Sequence, residues 1–115
     1  MPIHGSCHCG KIAYRLDAEP TAAIECNCSI CRRKGVLMAF YPVAKLKVEQ
    51  GEAALKGYQF NTHKLTHWFC PTCGIHPFAE AADKTGKPMA AINVRVLEGV
   101  DPKSFPVKPF NGRAL

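Results

Sequence analysis

Three short groups of cysteine carry most of the chemistry available to this sequence. They are Cys7-His8-Cys9, Cys26-Asn27-Cys28-Ser29-Ile30-Cys31 and Cys70-Pro71-Thr72-Cys73. Two residues between cysteines let both sulfurs face one tetrahedral zinc ion at about 2.3 Å. Gly74 follows the last pair, and a positive φ there turns backbone N–H groups toward the thiolates. Gly5 and Gly10 flank the first pair and permit a similarly tight bend. A regular strand would hold the sulfurs of Cys7 and Cys9 too far apart. The total of seven cysteines is odd, which suits metal ligation better than a disulfide framework.

Seven divides into four plus three, and spacing alone leaves several partitions open. Cys7, Cys9, Cys70 and Cys73 could share one ion, leaving Cys26, Cys28 and Cys31 for another. Alternatively, Cys28 and Cys31 could pair with Cys70 and Cys73. The first partition uses whole clusters and ties the N-terminus to the middle of the chain, where a cross-link limits the unfolded state most. It is the preferred one, with two zinc ions per chain. A four-cysteine site is closed and structural, whereas three ligands leave a position for water or substrate. Zinc with three thiolates is formally anionic and a weak Lewis acid, so hydrolysis by zinc hydroxide is disfavoured. Capture of an incoming thiol as thiolate is the better chemistry.

The neighbouring polar residues have competing readings. Arg32, Arg33 and Lys34 follow the three-cysteine cluster directly. They could balance its charge, attract an anionic thiol, or simply form a solvated basic run. His8 should point away from the sulfurs beside it. His67 or His76 could supply a fourth ligand to the open site, although surface or structural histidines are commoner. His63 and His67 stand at helical spacing in a segment that reads as strand. Trp68, Phe69, Phe40 and Tyr41 read as core residues, not as a base-stacking platform.

The elements that must position these groups read as short strands. Lys11–Leu16 and Lys45–Glu49 alternate polar and apolar residues, and Thr21–Glu25, Val36–Val43, Leu55–Phe60, Lys64–Phe69, Ile75–Ala79 and Met89–Val96 complete the set. Asn61-Thr62 is the expected turn between two of them. Such spacing, punctuated by Gly, Pro and Asn, predicts a mainly β domain of short antiparallel strands. One helical turn is expected over Cys28–Lys34, and another at Asp101-Pro102-Lys103-Ser104, where an N-cap Asp precedes Pro. The tail from Pro106 onward should be extended.

Composition bounds the remaining choices. The 115 residues, 47% hydrophobic and 21% charged, fit one small domain spanning 1–115 and not a disordered chain. Met1-Pro2-Ile3-His4-Gly5-Ser6-Cys7 has neither the basic nor the apolar region of a signal peptide. The longest mostly apolar stretch, Val36–Ala44, is too short to span a bilayer. A cytoplasmic location, with reduced thiols and no membrane partner, is therefore expected. The formal charge is +6. Seven thiolates on two divalent ions would lower it to about +3, so part of the basic excess compensates the metal sites. Lysine and arginine are also spread along the chain with no basic stripe, which argues against nucleic acid as a partner. The runner-up to an enzyme is a non-catalytic zinc module that binds protein or nucleic acid through its basic face.

Gly5-Ser6-Cys7-His8-Cys9-Gly10, Cys26-Asn27-Cys28-Ser29-Ile30-Cys31-Arg32 and Phe69-Cys70-Pro71-Thr72-Cys73-Gly74 together resemble the glutathione-dependent formaldehyde-activating enzyme family, which includes centromere protein V. Ile92-Asn93-Val94-Arg95, Glu98-Gly99-Val100-Asp101-Pro102 and Phe110-Asn111-Gly112 extend the likeness over nearly the whole chain. The resemblance implies a tent-like β fold of the kind found in Rab guanine-nucleotide exchange chaperones. It implies structural zinc on Cys7, Cys9, Cys70 and Cys73, and catalytic zinc on Cys26, Cys28 and Cys31. It also implies a carbon–sulfur lyase activity of the S-(hydroxymethyl)glutathione synthase type, joining a small thiol such as glutathione to formaldehyde or a similar aldehyde.

Overall fold

The computed structural model describes residues 2–59, 65–82 and 85–111. His63, the Asn61-Thr62 turn and the chain after residue 111 lie outside them. Among the described residues the fold is mainly β, as expected. The strands are β1 (Ile3–Ser6), β2 (Ala13–Leu16), β3 (Ala23–Cys26), β4 (Met38–Pro42), β5 (Leu46–Gln50), β6 (Lys56–Tyr58), β7 (Thr66–Phe69), β8 (Phe78–Ala82), β9 (Pro88–Asn93) and β10 (Val107–Phe110). Among the described residues one short α-helix, α1 (Ser29–Lys34), joins β3 to β4. No described helix is long and apolar enough to cross a membrane.

The strands form a small sheet in the order β1-β2-β5 and a larger one in the order β10-β3-β4-β9-β8-β7-β6. One face of the larger sheet packs on the smaller. Paired residues share a face, and Ala39, Ile92, Phe78 and Trp68 are paired in a row across β4, β9, β8 and β7. That row meets Tyr14 and Leu16 of β2 in the main core. The Tyr14 ring stands edge-on to Phe78 at 5.7 Å, and its hydroxyl donates to the Pro77 carbonyl at 3.2 Å. The ring also occupies the space above Gly5, where a Cβ would come within 2.8 Å of it.

The opposite face carries the candidate chemistry. There Phe40, Ala91, Ala79 and His67 form the next paired row. Cys26, Cys31, Val36, Met38, Ala79 and Ala91 make a second core beneath α1. A six-residue helix is only about 9 Å long, so it covers part of this face and stops. Phe40 is left 53% exposed. The expectation that Phe40 belongs to the core therefore fails, while Tyr41 is buried in the main core and Trp68 packs against it.

Three other departures have local causes, and a fourth comes from a long-range pairing. The strand expected at Ile75–Ala79 begins at Phe78, because the Ile75 carbonyl closes a turn with Cys70 N–H at 2.9 Å and Pro77 has no N–H to donate. The strand expected to reach Val96 ends at Asn93, whose side chain accepts the Arg95 N–H at 3.1 Å and caps a 3-10 turn over Val94–Val96. Asp101 makes its cap, accepting from Lys103 N–H at 2.9 Å. No helix follows there, since Phe105 precedes Pro106 and such residues avoid the helical region. Finally, the extended tail becomes β10 and pairs in parallel with β3, so the sheet is not wholly antiparallel. A parallel partner requires a long crossover connection, which local sequence pattern does not reveal.

Candidate functional site

Two turns of nearly the same design hold the first four cysteines. Cys7 N–H donates to the Ile12 carbonyl at 3.0 Å, and Cys70 N–H to the Ile75 carbonyl at 2.9 Å. Gly10 N–H returns to the Cys7 carbonyl at 3.3 Å, and Gly74 N–H to the Cys70 carbonyl at 2.8 Å. Both glycines have φ of 80°, a conformation that side chains with a Cβ resist. The turns aim their sulfurs at a common point. Cys7 and Cys9 Sγ lie 3.6 Å apart, as do Cys9 and Cys70 Sγ, and all four sulfurs fall within 4.8 Å of one another.

That geometry fits a metal. A tetrahedron with Zn–S bonds of 2.3 Å has edges of about 3.8 Å. All four are free thiols, and backbone donors are already directed at them. Ile12 N–H lies 3.3 Å from Cys7 Sγ. Backbone N–H groups of Cys9 and Ile75 lower the Cys73 thiol to about 6. Such donors stabilise thiolate and support ligation. Ile12 and the two buried cysteines Cys7 and Cys70 form a small core around the group.

The other three cysteines gather where β3 runs into α1. Cys26 ends the strand, Cys28 is the helix N-cap, and Cys31 lies in its first turn. Cys28 Sγ accepts the Cys31 N–H at 3.5 Å, a distance ordinary for sulfur. All three Sγ atoms lie within 4.8 Å of one another. No further Cys, His, Asp or Glu joins them among the described residues. The sequence partition by whole clusters is the one the fold brings together, and neither His67 nor His76 extends it. His8 is exposed.

A cleft of about 510 Å³ opens beside this group, bordered by Cys26, Cys31, Arg32, Val36, Pro109 and Phe110. Strand β10 supplies its far wall. The wall is tied down where Asn27 N–H donates to the Phe110 carbonyl at 3.2 Å and the Asn27 amide donates to Asn111 at 3.0 Å. Sequence reasoning gave Asn27 and Asn111 no role. Their only signal was their place inside the matching motifs.

The basic run after Cys31 does not act as one patch. Arg32 borders the cleft, Arg33 bonds the Ser29 carbonyl at 2.9 Å, and Lys34 Nζ donates to His76 Nδ1 at 2.9 Å. His76 is buried. Burial, then the Lys34 charge, pushes its imidazole down to about 3, although its ring N–H also finds the Trp68 carbonyl. The ring is therefore neutral with the proton on Nε2. An unfolded histidine accepts a proton near 6.5, the folded one only near 3. Between those values the unfolded state binds more protons, so stability is present above pH 6.5 and is lost as pH falls toward 3. Urea unfolding of the wild type between about pH 7.5 and about pH 5 should show about 2 kcal/mol more loss than His76→Asn, which keeps an acceptor but cannot titrate. Equal losses would contradict the buried neutral ring.

Comparison with known proteins agrees with this arrangement. A model of the family described as glutathione-dependent formaldehyde-activating enzyme matches residues 2–109. A protein of Halomonas elongata, provisionally named as such an enzyme, is 30% identical, with the match covering 72% of this chain and 67% of that protein. The crystal structure of a Rhodobacter sphaeroides protein superposes with a TM-score of 0.76 at 35% identity, covering 91% of this chain and 99% of that one. The chain belongs to the glutathione-dependent formaldehyde-activating enzyme family.

Proposed function

We propose that Cys7, Cys9, Cys70 and Cys73 hold a structural zinc, and that Cys26, Cys28 and Cys31 hold a second zinc at which a small thiol adds to an aldehyde. Glutathione and formaldehyde are the pair the family points to. The observation that carries this reading is the contrast between the groups. Four sulfurs cluster in one group, whereas the other group has three, lies beside an open cleft that Cys26 and Cys31 line, and has no fourth protein ligand among the described residues.

Cys26, Cys28 and Cys31 would hold the zinc, which when bound would favour the thiolate form of an incoming thiol near neutral pH and do little to activate water. The residues of the chain do the rest. Val36, Pro109 and Phe110 give the cleft apolar walls, and Arg32 and Glu25 place a cation and a carboxylate at its border. Holding thiolate and aldehyde side by side in that space supplies orientation. The sulfur lone pair forms one C–S bond to the carbonyl carbon. The C=O π pair moves to oxygen, which takes a proton to give the S-hydroxymethyl product. Nothing is oxidised, and the reverse step is a carbon–sulfur lyase reaction.

The test is exchange NMR of glutathione and formaldehyde mixtures. Zinc-replete protein should speed interconversion of glutathione and its hydroxymethyl adduct above the spontaneous rate, and chelator-treated protein should not. Absence of any acceleration with glutathione, cysteine and other small thiols would reject the reading.

A further inference from the structure

We propose that the cavity bordered by Lys34, His76, Asn93 and Arg95 is an anion subsite that takes a carboxylate of the thiol substrate. The proposal rests on the thiol-binding reading above and adds to it where the remainder of that substrate lies. The cavity has a volume of about 360 Å³, and Gly74, Ile75, Val36 and Val96 complete its border. Val36 also lines the cleft beside Cys26 and Cys31, so the two spaces adjoin across one side chain. On this proposal a ligand with its sulfur at the cysteines extends past Val36 into the second space.

The chemistry of the border is one-sided. It contains two cations, Lys34 and Arg95, and no carboxylate. Among the described residues neither cation has an acidic partner; the ion pairs there involve His4 with Glu49 and Arg15 with Asp17. Lys34 does have a partner, the neutral His76 ring at 2.9 Å, which orients the ammonium without cancelling its charge. Behind it Asn93, 94% buried by its 6% exposure, donates to the His76 carbonyl at 2.9 Å and accepts from Arg95 N–H at 3.1 Å. Those two bonds fix the turn that carries Arg95 to the same border. Lys34, held by the buried His76, and the exposed Arg95 thus border one cavity, where a planar carboxylate could accept from both.

The alternative use of Lys34 is to balance thiolate charge at nearby Cys31, and the experiment separates the two. Zinc-loaded protein is titrated calorimetrically with S-methylglutathione, which keeps both carboxylates but has no free thiol, and with its diethyl ester. The free acid should bind at least about tenfold more tightly than the ester. Arg95→Gln should remove most of that preference while zinc content stays unchanged. Equal binding of acid and ester, or a preference that survives both Arg95→Gln and Lys34→Gln, overturns the subsite. Loss of zinc from Lys34→Gln with the acid preference intact assigns that lysine to charge balance and also counts against it. The thiol-free probe keeps this result apart from thiol capture. Arg95-dependent binding of S-methylglutathione sustains the subsite even if glutathione leaves the metal coordination unchanged, an outcome that would sink capture alone.

Discussion

Replacing Cys73 with serine should unfold the protein or drive it to aggregate. The residue joins a turn near the middle of the chain to one at its beginning, through sulfurs that lie within 4.8 Å of one another. Ile12, Cys7 and Cys70 are buried around that point, with Ala54, Leu55 and Ile75 packed against them. Cys9 Sγ lies 3.6 Å from the sulfurs of both Cys7 and Cys70, close to the edge of a tetrahedral zinc–thiolate site. Binding of metal at such a site is part of the folding free energy. A domain of this size has about 5–15 kcal/mol of stability in total. Loss of one of four ligands should therefore remove about 5 kcal/mol or more. Circular dichroism melts of zinc-loaded protein would show it. A Cys73→Ser variant that melts cooperatively within a few degrees of wild type would contradict the structural assignment.

Cys28→Ser should have the opposite profile: fold retained, activity lost. Cys28 caps α1, and its sulfur accepts the Cys31 N–H. Serine is among the best N-cap residues, so the helix loses nothing in its first turn. The second core beneath α1 rests on Cys26, Cys31, Val36, Met38, Ala79 and Ala91, which the change leaves in place. The thermal midpoint should stay within about 5 °C of wild type. Metal affinity at the three-cysteine group should fall at least about a hundredfold, and exchange of glutathione with its hydroxymethyl adduct should return to the spontaneous rate. Equal losses of stability for Cys28→Ser and Cys73→Ser would erase the distinction between the two groups.

The parts of this arrangement that sequence revealed are those fixed by local chemistry. Cysteine spacing, with Gly10 and Gly74 behind it, marks the two turns because only a positive φ closes them. Alternation over Lys45–Glu49 marks β5 because Leu46 and Val48 on one face of it are partly buried against the main core. Contacts between distant segments left no such mark. The parallel pairing of β10 with β3, the Asn27–Asn111 clasp and the Lys34–His76 bond each join residues far apart in sequence. The tail, Asn27 and Lys34 have bland local readings, and His76 reads as a candidate fourth ligand to the open site. Phe40 misled for a related reason. An aromatic residue in an apolar strand reads as core, but whether it is covered depends on the length of α1, an element elsewhere in the chain.

The central claim is that one metal site is closed and the other is open to a thiol. X-ray absorption at the zinc edge measures this directly, because it counts sulfur neighbours per ion. Seven cysteine sulfurs shared by two ions average 3.5 per zinc, given the two groups of four and three. A light atom from water would complete the open site. Adding glutathione should raise the average to about 4 sulfurs per zinc and remove the light-atom contribution. The same addition to Cys28→Ser should change nothing. An average of 4 before any thiol is added, or one that stays at 3.5 when glutathione is in excess, would contradict the account.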